Sequence, residues 1–146
     1  MRIDGFLTPE SAPAAHDAYE ALAVPARDVT RAVVMAMDIE GDDYRQLVDE
    51  SVTGAAQEAM FGSLLEVRTA DREAFDHWCD RPDNAELTVT MEGSEHVANI
   101  AWHEAPSVDR VIAATYESQR EAAVSTLRRL AWGRIYRDMV SDNESA

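Results

Sequence analysis

Four histidines, one cysteine and a cluster of carboxylates are the side chains of this chain with metal-binding or nucleophilic chemistry within reach. A zinc site needs three or four ligands converging at about 2.0–2.3 Å. His77 and Cys79 stand two apart on a predicted helix and point away from each other. His96 and His103 are an odd number of residues apart, which sends them to opposite faces of a regular strand. No metal and no cofactor is therefore expected, and His16 stands alone. Cys79 falls near the end of its helix, where the backbone dipole disfavours a thiolate and hence a cysteine nucleophile. The acidic run Asp38, Glu40, Asp42 and Asp43 fails as a calcium loop. Counted from Asp38, Gly41 stands at position 4, whereas an EF-hand needs its glycine at position 6. A solvated turn is the better reading. The chain has no glycine-rich phosphate loop, serine elbow or dinucleotide fingerprint.

Two surfaces carry chemistry of another kind. Strand alternation places Glu66, Arg68, Thr88, Thr90, Asn99, His103 and Thr115 on the sheet face away from Ile100 and Trp102. Such a set could hold a small polar ligand, with His103 as acid or base. An ordinary wet sheet face is the plainer account. From Arg120 to Arg137, five Arg stand against one Glu, a net of +4, while Asp38 to Glu58 carries seven acids and one Arg, a net of -6. These two regions are expected to face each other, within the fold or across a homodimer. Arg128, Arg129, Trp132, Arg134, Ile135 and Tyr136 form a candidate interaction surface, because Arg and aromatic side chains are enriched at binding hot spots. Nucleic acid is disfavoured as a partner: the basic residues are not on the third helix, and the sheet lacks exposed aromatics for base stacking.

The elements that must position these residues follow from periodicity. A helix is predicted near 11–23, capped by Ser11 or Thr8, with Pro13 in its first turn. Val24-Pro25 interrupts the pattern, and a second helix runs to about Met37, burying Val29, Ala32, Val33 and Ala36. The segment 38–41 is a turn. A third helix near 42–61 carries the stripe Tyr44, Leu47, Val48, Val52, Ala55, Ala59 and Met60. The period then changes to strand-like over 64–69, with a short helix at 71–80 holding Phe75 and Trp78. Leu87, Val89 and Met91 point inward from a strand at 86–92, and Gly93-Ser94-Glu95 turns the chain into a return strand near 97–103. A fourth strand spans about 110–117. Ser118-Gln119-Arg120-Glu121 matches a capping box, and Val124, Leu127, Ala131 and Ile135 mark the buried stripe of a long final helix. Gly133 inside it either admits a close neighbour or is simply tolerated.

The expected fold is α+β: an amino-terminal three-helix segment, then a four-stranded, mostly antiparallel sheet packed on one face by helices that include the carboxy-terminal one. Residues 1–140 form one domain, and 141–146 a disordered acidic tail. The 146 residues carry 28 Asp and Glu, 13 Arg and no Lys, for a formal charge of -15. Solubility alone asks for a magnitude of only about 2–8. Near 1 M salt the Debye length is about 3 Å, which abolishes most self-repulsion. The composition thus points to a salt-rich cytosol, although a GC-rich genome would also favour Arg over Lys and inflate the 24 alanines. One cysteine closes no internal disulfide, which fits a reducing cytoplasm. Met1-Arg2-Ile3-Asp4-Gly5 leads into no apolar run, and no stretch approaches the ~20 apolar residues of a membrane span.

The segments Ser94-Glu95-His96-Val97, Trp102-His103, Ala113-Ala114-Thr115, Arg120-Glu121-Ala122-Ala123-Val124, Thr126-Leu127-Arg128-Arg129 and Gly133-Arg134-Ile135-Tyr136 resemble an uncharacterised family of short acidic haloarchaeal proteins of unknown function. The resemblance extends over most of the chain, more loosely before Met60. It implies a cytoplasmic haloarchaeal protein and carries over no activity, cofactor or site. The expected role is a non-enzymatic interaction or regulatory module. Its partner, a second copy or another protein, would meet the carboxy-terminal helix. The alternative is a small-polar-ligand-binding protein or enzyme using Glu66, Arg68, Thr88, Asn99 and His103. A nucleic-acid regulator is more distant, and no membrane association is expected.

Overall fold

The computed structural model describes residues 1–37 and 50–142. The acidic turn at 38–41, the first turns of the expected third helix and the tail at 143–146 lie outside the described residues, as does most of the acidic segment expected to oppose the basic helix.

Strands come first in the chain and helices close it. β1 (Arg2–Asp4) is followed by α1 (Ala12–Ala21), α2 (Ala23–Ala36), α3 (Glu50–Leu64), β2 (Val67–Asp71), α4 (Arg72–Cys79), β3 (Thr88–Glu92), β4 (Asn99–Ala105), β5 (Arg110–Tyr116) and α5 (Arg120–Ala131). A π-helical turn, Trp132–Tyr136, joins α5 to α6 (Arg137–Asp142). The Ser11 hydroxyl caps α1 by accepting from the Ala14 N–H at 3.1 Å, and Asp71 caps α4 through the Ala74 N–H at 2.8 Å. At α5 the expected capping box does not form. The helix starts at Arg120, and its cap residue Gln119 makes no side-chain hydrogen bond.

The sheet has five strands in the order β1-β2-β4-β5-β3. β1 was not expected, because three residues are too short for a period to show. The β3 strand does not form a hairpin with β4. It pairs in parallel with β5, Val89 opposite Val111, while β4 lies between β2 and β5, antiparallel to both. The connection at 93–98 therefore passes over the carboxy end of β5. There the Ser94 N–H donates to Thr115 Oγ1, and Arg72 Nη2 donates to the carbonyls of Ser94 and Val97. Gly93 opens this crossing at φ 112°, where a Cβ would collide with Thr115 Oγ1.

Helices cover both faces of the sheet, so neither stays wet as expected. On one face Ala101, Ala105, Ile112 and Ala114 pack under Val124, Leu127, Ala131, Ile135 and Tyr136 of the carboxy-terminal helices, with Phe61 and Leu65 from α3. On the other, Ile100, Trp102, Val111 and Ala113 pack under Phe75 and Trp78 of α4. Burying Leu127 alone is worth roughly 1.5–3 kcal/mol.

Two amino-terminal helices are rotated from the expected stripes. On α2 the buried residues are Ala26, Thr30 and Val34, and the Thr30 hydroxyl is satisfied by the Ala26 carbonyl at 2.8 Å. Val29, Ala32, Val33 and Ala36 are exposed. On α3, Gln57 and Phe61 turn inward, while Val52, Ala55 and Ala59 are exposed. Among the described residues no helix is long and apolar enough to cross a membrane.

Candidate functional site

The polar set expected on one sheet face is divided by the register. Arg68 stands opposite Trp102, whereas Thr69 stands opposite Ala101. Glu66 and Arg68 therefore belong to the α4 side, where Arg68 Nε donates to Glu66 Oε1 at 3.1 Å and the guanidinium lies 5.4 Å from the Trp78 ring centroid. Thr88, Thr90, Asn99 and His103 share the opposite face. Thr88 is exposed on the edge strand, and Asn99 Nδ2 donates to the Glu117 carbonyl at 3.0 Å. His103 is fully buried under the carboxy-terminal helix. The structure thus does not bring Arg68, Asn99 and His103 into one pocket.

His103 has both ring nitrogens occupied. Nδ1 lies 2.7 Å from the Glu66 carbonyl oxygen and Nε2 lies 2.6 Å from the Tyr136 hydroxyl. A carbonyl only accepts, so Nδ1 carries the proton and donates, and Nε2 accepts from Tyr136. Burial lowers the His103 pKa, the hydrogen bond to Glu66 opposing it only in part. Burial likewise raises the Tyr136 pKa far above that of a free phenol. The pair is neutral, satisfied and shut off from solvent. It pins the π turn to β4 and leaves no face for a substrate.

Cys79 is partly buried, and burial, then Asp76 and Asp80, raise its pKa. A raised pKa keeps it a thiol at neutral pH. Among the described residues no three His, Cys, Asp or Glu side chains converge to hold a metal ion.

The surface with unspent binding capacity lies on the outer side of α5. There α3 and α5 border an open groove of about 660 Å³. Its α3 wall is built from Ala55, Ala59, Gly62 and Ser63, with Glu58 among them. Its α5 wall is built from Ala122, Ser125, Thr126 and Arg129, with Arg128, Trp132 and Arg137 completing it. Small side chains at these spacings keep both walls low, which is why two packed helices leave a trough between them. Trp132 is held rigidly in place, stacked 5.8 Å from Tyr19 and edge-on to Phe61 at 5.4 Å. It is only 7% exposed, and its indole N–H has no acceptor among the described residues.

The charges of the carboxy-terminal helices divide in the same way. Arg120 is paired with Asp4 and also donates to Thr69 Oγ1 at 2.8 Å, and Arg134 meets Glu92 at 2.7 Å. Arg128, Arg129 and Arg137 have no carboxylate within ion-pair distance among the described residues, and all three line the groove. Arg128 donates from Nε to the Leu65 carbonyl at 3.0 Å, and partial burial lowers its pKa. Gly5 makes room for it: φ is 82° there, and a Cβ would lie 2.7 Å from Arg128 Nη2.

Of the six residues expected to form an interaction surface, three line the groove: Arg128, Arg129 and Trp132. Arg134 lies outside it, tied to Glu92, while Ile135 and Tyr136 point into the core. The residues missed are the small ones. Ala55, Ala59 and Gly62 on one helix and Ala122, Ser125 and Thr126 on the other carried their spacing as a signal, although small side chains are ambiguous between a face that packs and one that is merely exposed.

The molecule is thus a five-stranded α+β protein with a sealed histidine–tyrosine core and a helix-walled surface groove. It belongs to the family of unknown function DUF5809, whose model matches residues 6–137. No curated protein and no solved structure matches the chain.

Proposed function

We propose that this protein is a non-enzymatic interaction module that works in the cytoplasm of a salt-accumulating archaeon and binds its partner in the groove between α3 and α5. One observation carries the reading. On a chain with a formal charge of -15, three guanidiniums without a carboxylate partner among the described residues line one trough beside the Trp132 ring. A guanidinium offers a fork of donors that matches a carboxylate, so three of them along one trough of an acidic chain suit an acidic partner. Arg and Trp are also the side chains that dominate binding hot spots. The acidic exterior supports the salt-rich setting: at molar salt only contact charges act, and apolar seating is strengthened.

The reading is tested by analytical ultracentrifugation and partner retention in 2–3 M KCl, comparing the native chain with Arg129→Glu. The native chain is expected to retain a partner or self-associate, and the variant to lose that association while keeping its fold. A native chain that stays monomeric and retains nothing contradicts the proposal.

A further inference from the structure

We infer that the groove takes an acidic amphipathic helix from a different protein. The inference rests on the interaction reading above and specifies the occupant. Between Ala122 and Trp132 the α5 wall runs ten residues, or about 15 Å at 1.5 Å per residue, close to three turns of a helix. Walls of alanine, glycine and serine offer holes rather than knobs. The occupant must therefore supply the bulk, as large apolar side chains repeating at three and four residues along one face.

Charge then fixes the flanks of that helix. Arg128, Arg129 and Arg137 stand against the single carboxylate of Glu58 along the groove. A guanidinium offers a fork of donors that matches a carboxylate in two parallel hydrogen bonds, and such contact pairs persist at salt concentrations that erase longer-range attraction. An occupant with Asp or Glu beside its apolar stripe pairs with these guanidiniums.

The α2, α4 and α5 helices of a second copy offer no such face. The inward faces of α4 and α5 are occupied by their own cores. The α2 helix does expose a stripe, Val29, Val33 and Met37, but the charges around it are Arg27, Asp28 and Arg31, a net of +1. That balance opposes an arginine-lined trough.

The probe is a fluorescein-labelled 14-residue peptide with leucines at helical spacing and flanking glutamates, titrated into the full chain in 2 M KCl by anisotropy. A matched peptide has lysines in place of the glutamates. Two variants accompany the native chain. Gly62→Leu fills the trough, since a Cβ built at Gly62 meets no atom within 4 Å, and Arg129→Glu reverses one exposed wall charge. The native chain should bind the glutamate peptide at least tenfold more tightly than the lysine peptide, and each variant should weaken the glutamate peptide at least tenfold. Equal binding of the two peptides, no binding, or an unchanged affinity in Gly62→Leu overturns the inference. Self-association that Gly62→Leu abolishes would make the occupant a second copy; tighter binding of decanoate than of the peptide would make it a small carboxylate. Either result overturns the helix while leaving the groove as the binding surface. Loss of every groove effect, with partner retention intact, removes both readings.

Discussion

The two sides of α5 are built on one helix and do opposite things. Its inner side presents Val124, Leu127 and Ala131 to the sheet, all buried, and continues through Ile135 to Tyr136. Its outer side presents Ala122, Ser125, Thr126 and Arg129 to a trough. Close packing on the inner side leaves every methylene in contact, so changes there are felt as stability. The outer side has no packing to lose, so changes there are felt by whatever enters. The polar groups follow the same division. His103, inside, has both nitrogens satisfied, whereas Arg128, Arg129 and Arg137 at the groove meet no carboxylate among the described residues.

That contrast can be broken most forcefully from the inside. Leu127→Ala removes a fully buried side chain from the centre of the larger core. It is expected to cost about 2–5 kcal/mol in urea unfolding at constant KCl. A loss under 1 kcal/mol would mean that the inner side is not the stabilising one. Tyr136→Phe leaves His103 Nε2 without its donor and is expected to cost about 1–3 kcal/mol by the same measurement.

A pH profile sharpens the same side. The groups acting electrostatically on His103 are Glu66 and Arg128, and burial dominates both. The folded-state pKa therefore lies below the ordinary value of about 6.5. The unfolded chain takes up the proton first, so the full stability is present above about pH 6.5 and is lost as the pH falls below it toward the lowered folded value. Urea midpoints between pH 7.5 and 5.5 should decline for the native chain relative to a His103→Leu variant. Parallel profiles would show that the histidine is not held neutral.

The smallest stability effect is expected on the exposed side of the π turn, outside the groove. Arg134→Ala breaks an ion pair with Glu92 whose side chains are 39% and 45% exposed. It should cost no more than about 1 kcal/mol and leave partner binding unchanged. A large binding loss there would move the interaction surface away from the groove.

Much of this organisation was legible in the sequence. The stripe Val124, Leu127, Ala131, Ile135 is the one the structure buries, because a long amphipathic helix over a sheet has only one way to hide its apolar face. The same clarity held for α4 with Phe75 and Trp78, and for the strands around Ile100 and Val111. The strand order was not legible. Alternation says which residues share a face and nothing about which strand lies alongside, so a glycine-containing turn after β3 looked like a hairpin when it is a crossing over β5. Alternation puts His103 on the face away from Trp102, as observed, but does not say that helices cover that face. The structure buries the histidine because Tyr136, 33 residues later, supplies the partner that makes burial tolerable. The Arg and Trp of the site stood out by type. The small residues opposite them gained meaning only when α3 was placed beside α5.

The most direct test is a paired measurement on Gly62→Leu in 2 M KCl: the urea midpoint and the affinity for the glutamate-flanked peptide. Replacing a helical glycine in open space should hold the midpoint level or raise it by up to about 1 kcal/mol of stability, while the affinity falls at least tenfold. A variant that folds as well as the native chain and binds the peptide just as tightly would show that the groove is only a gap between two helices.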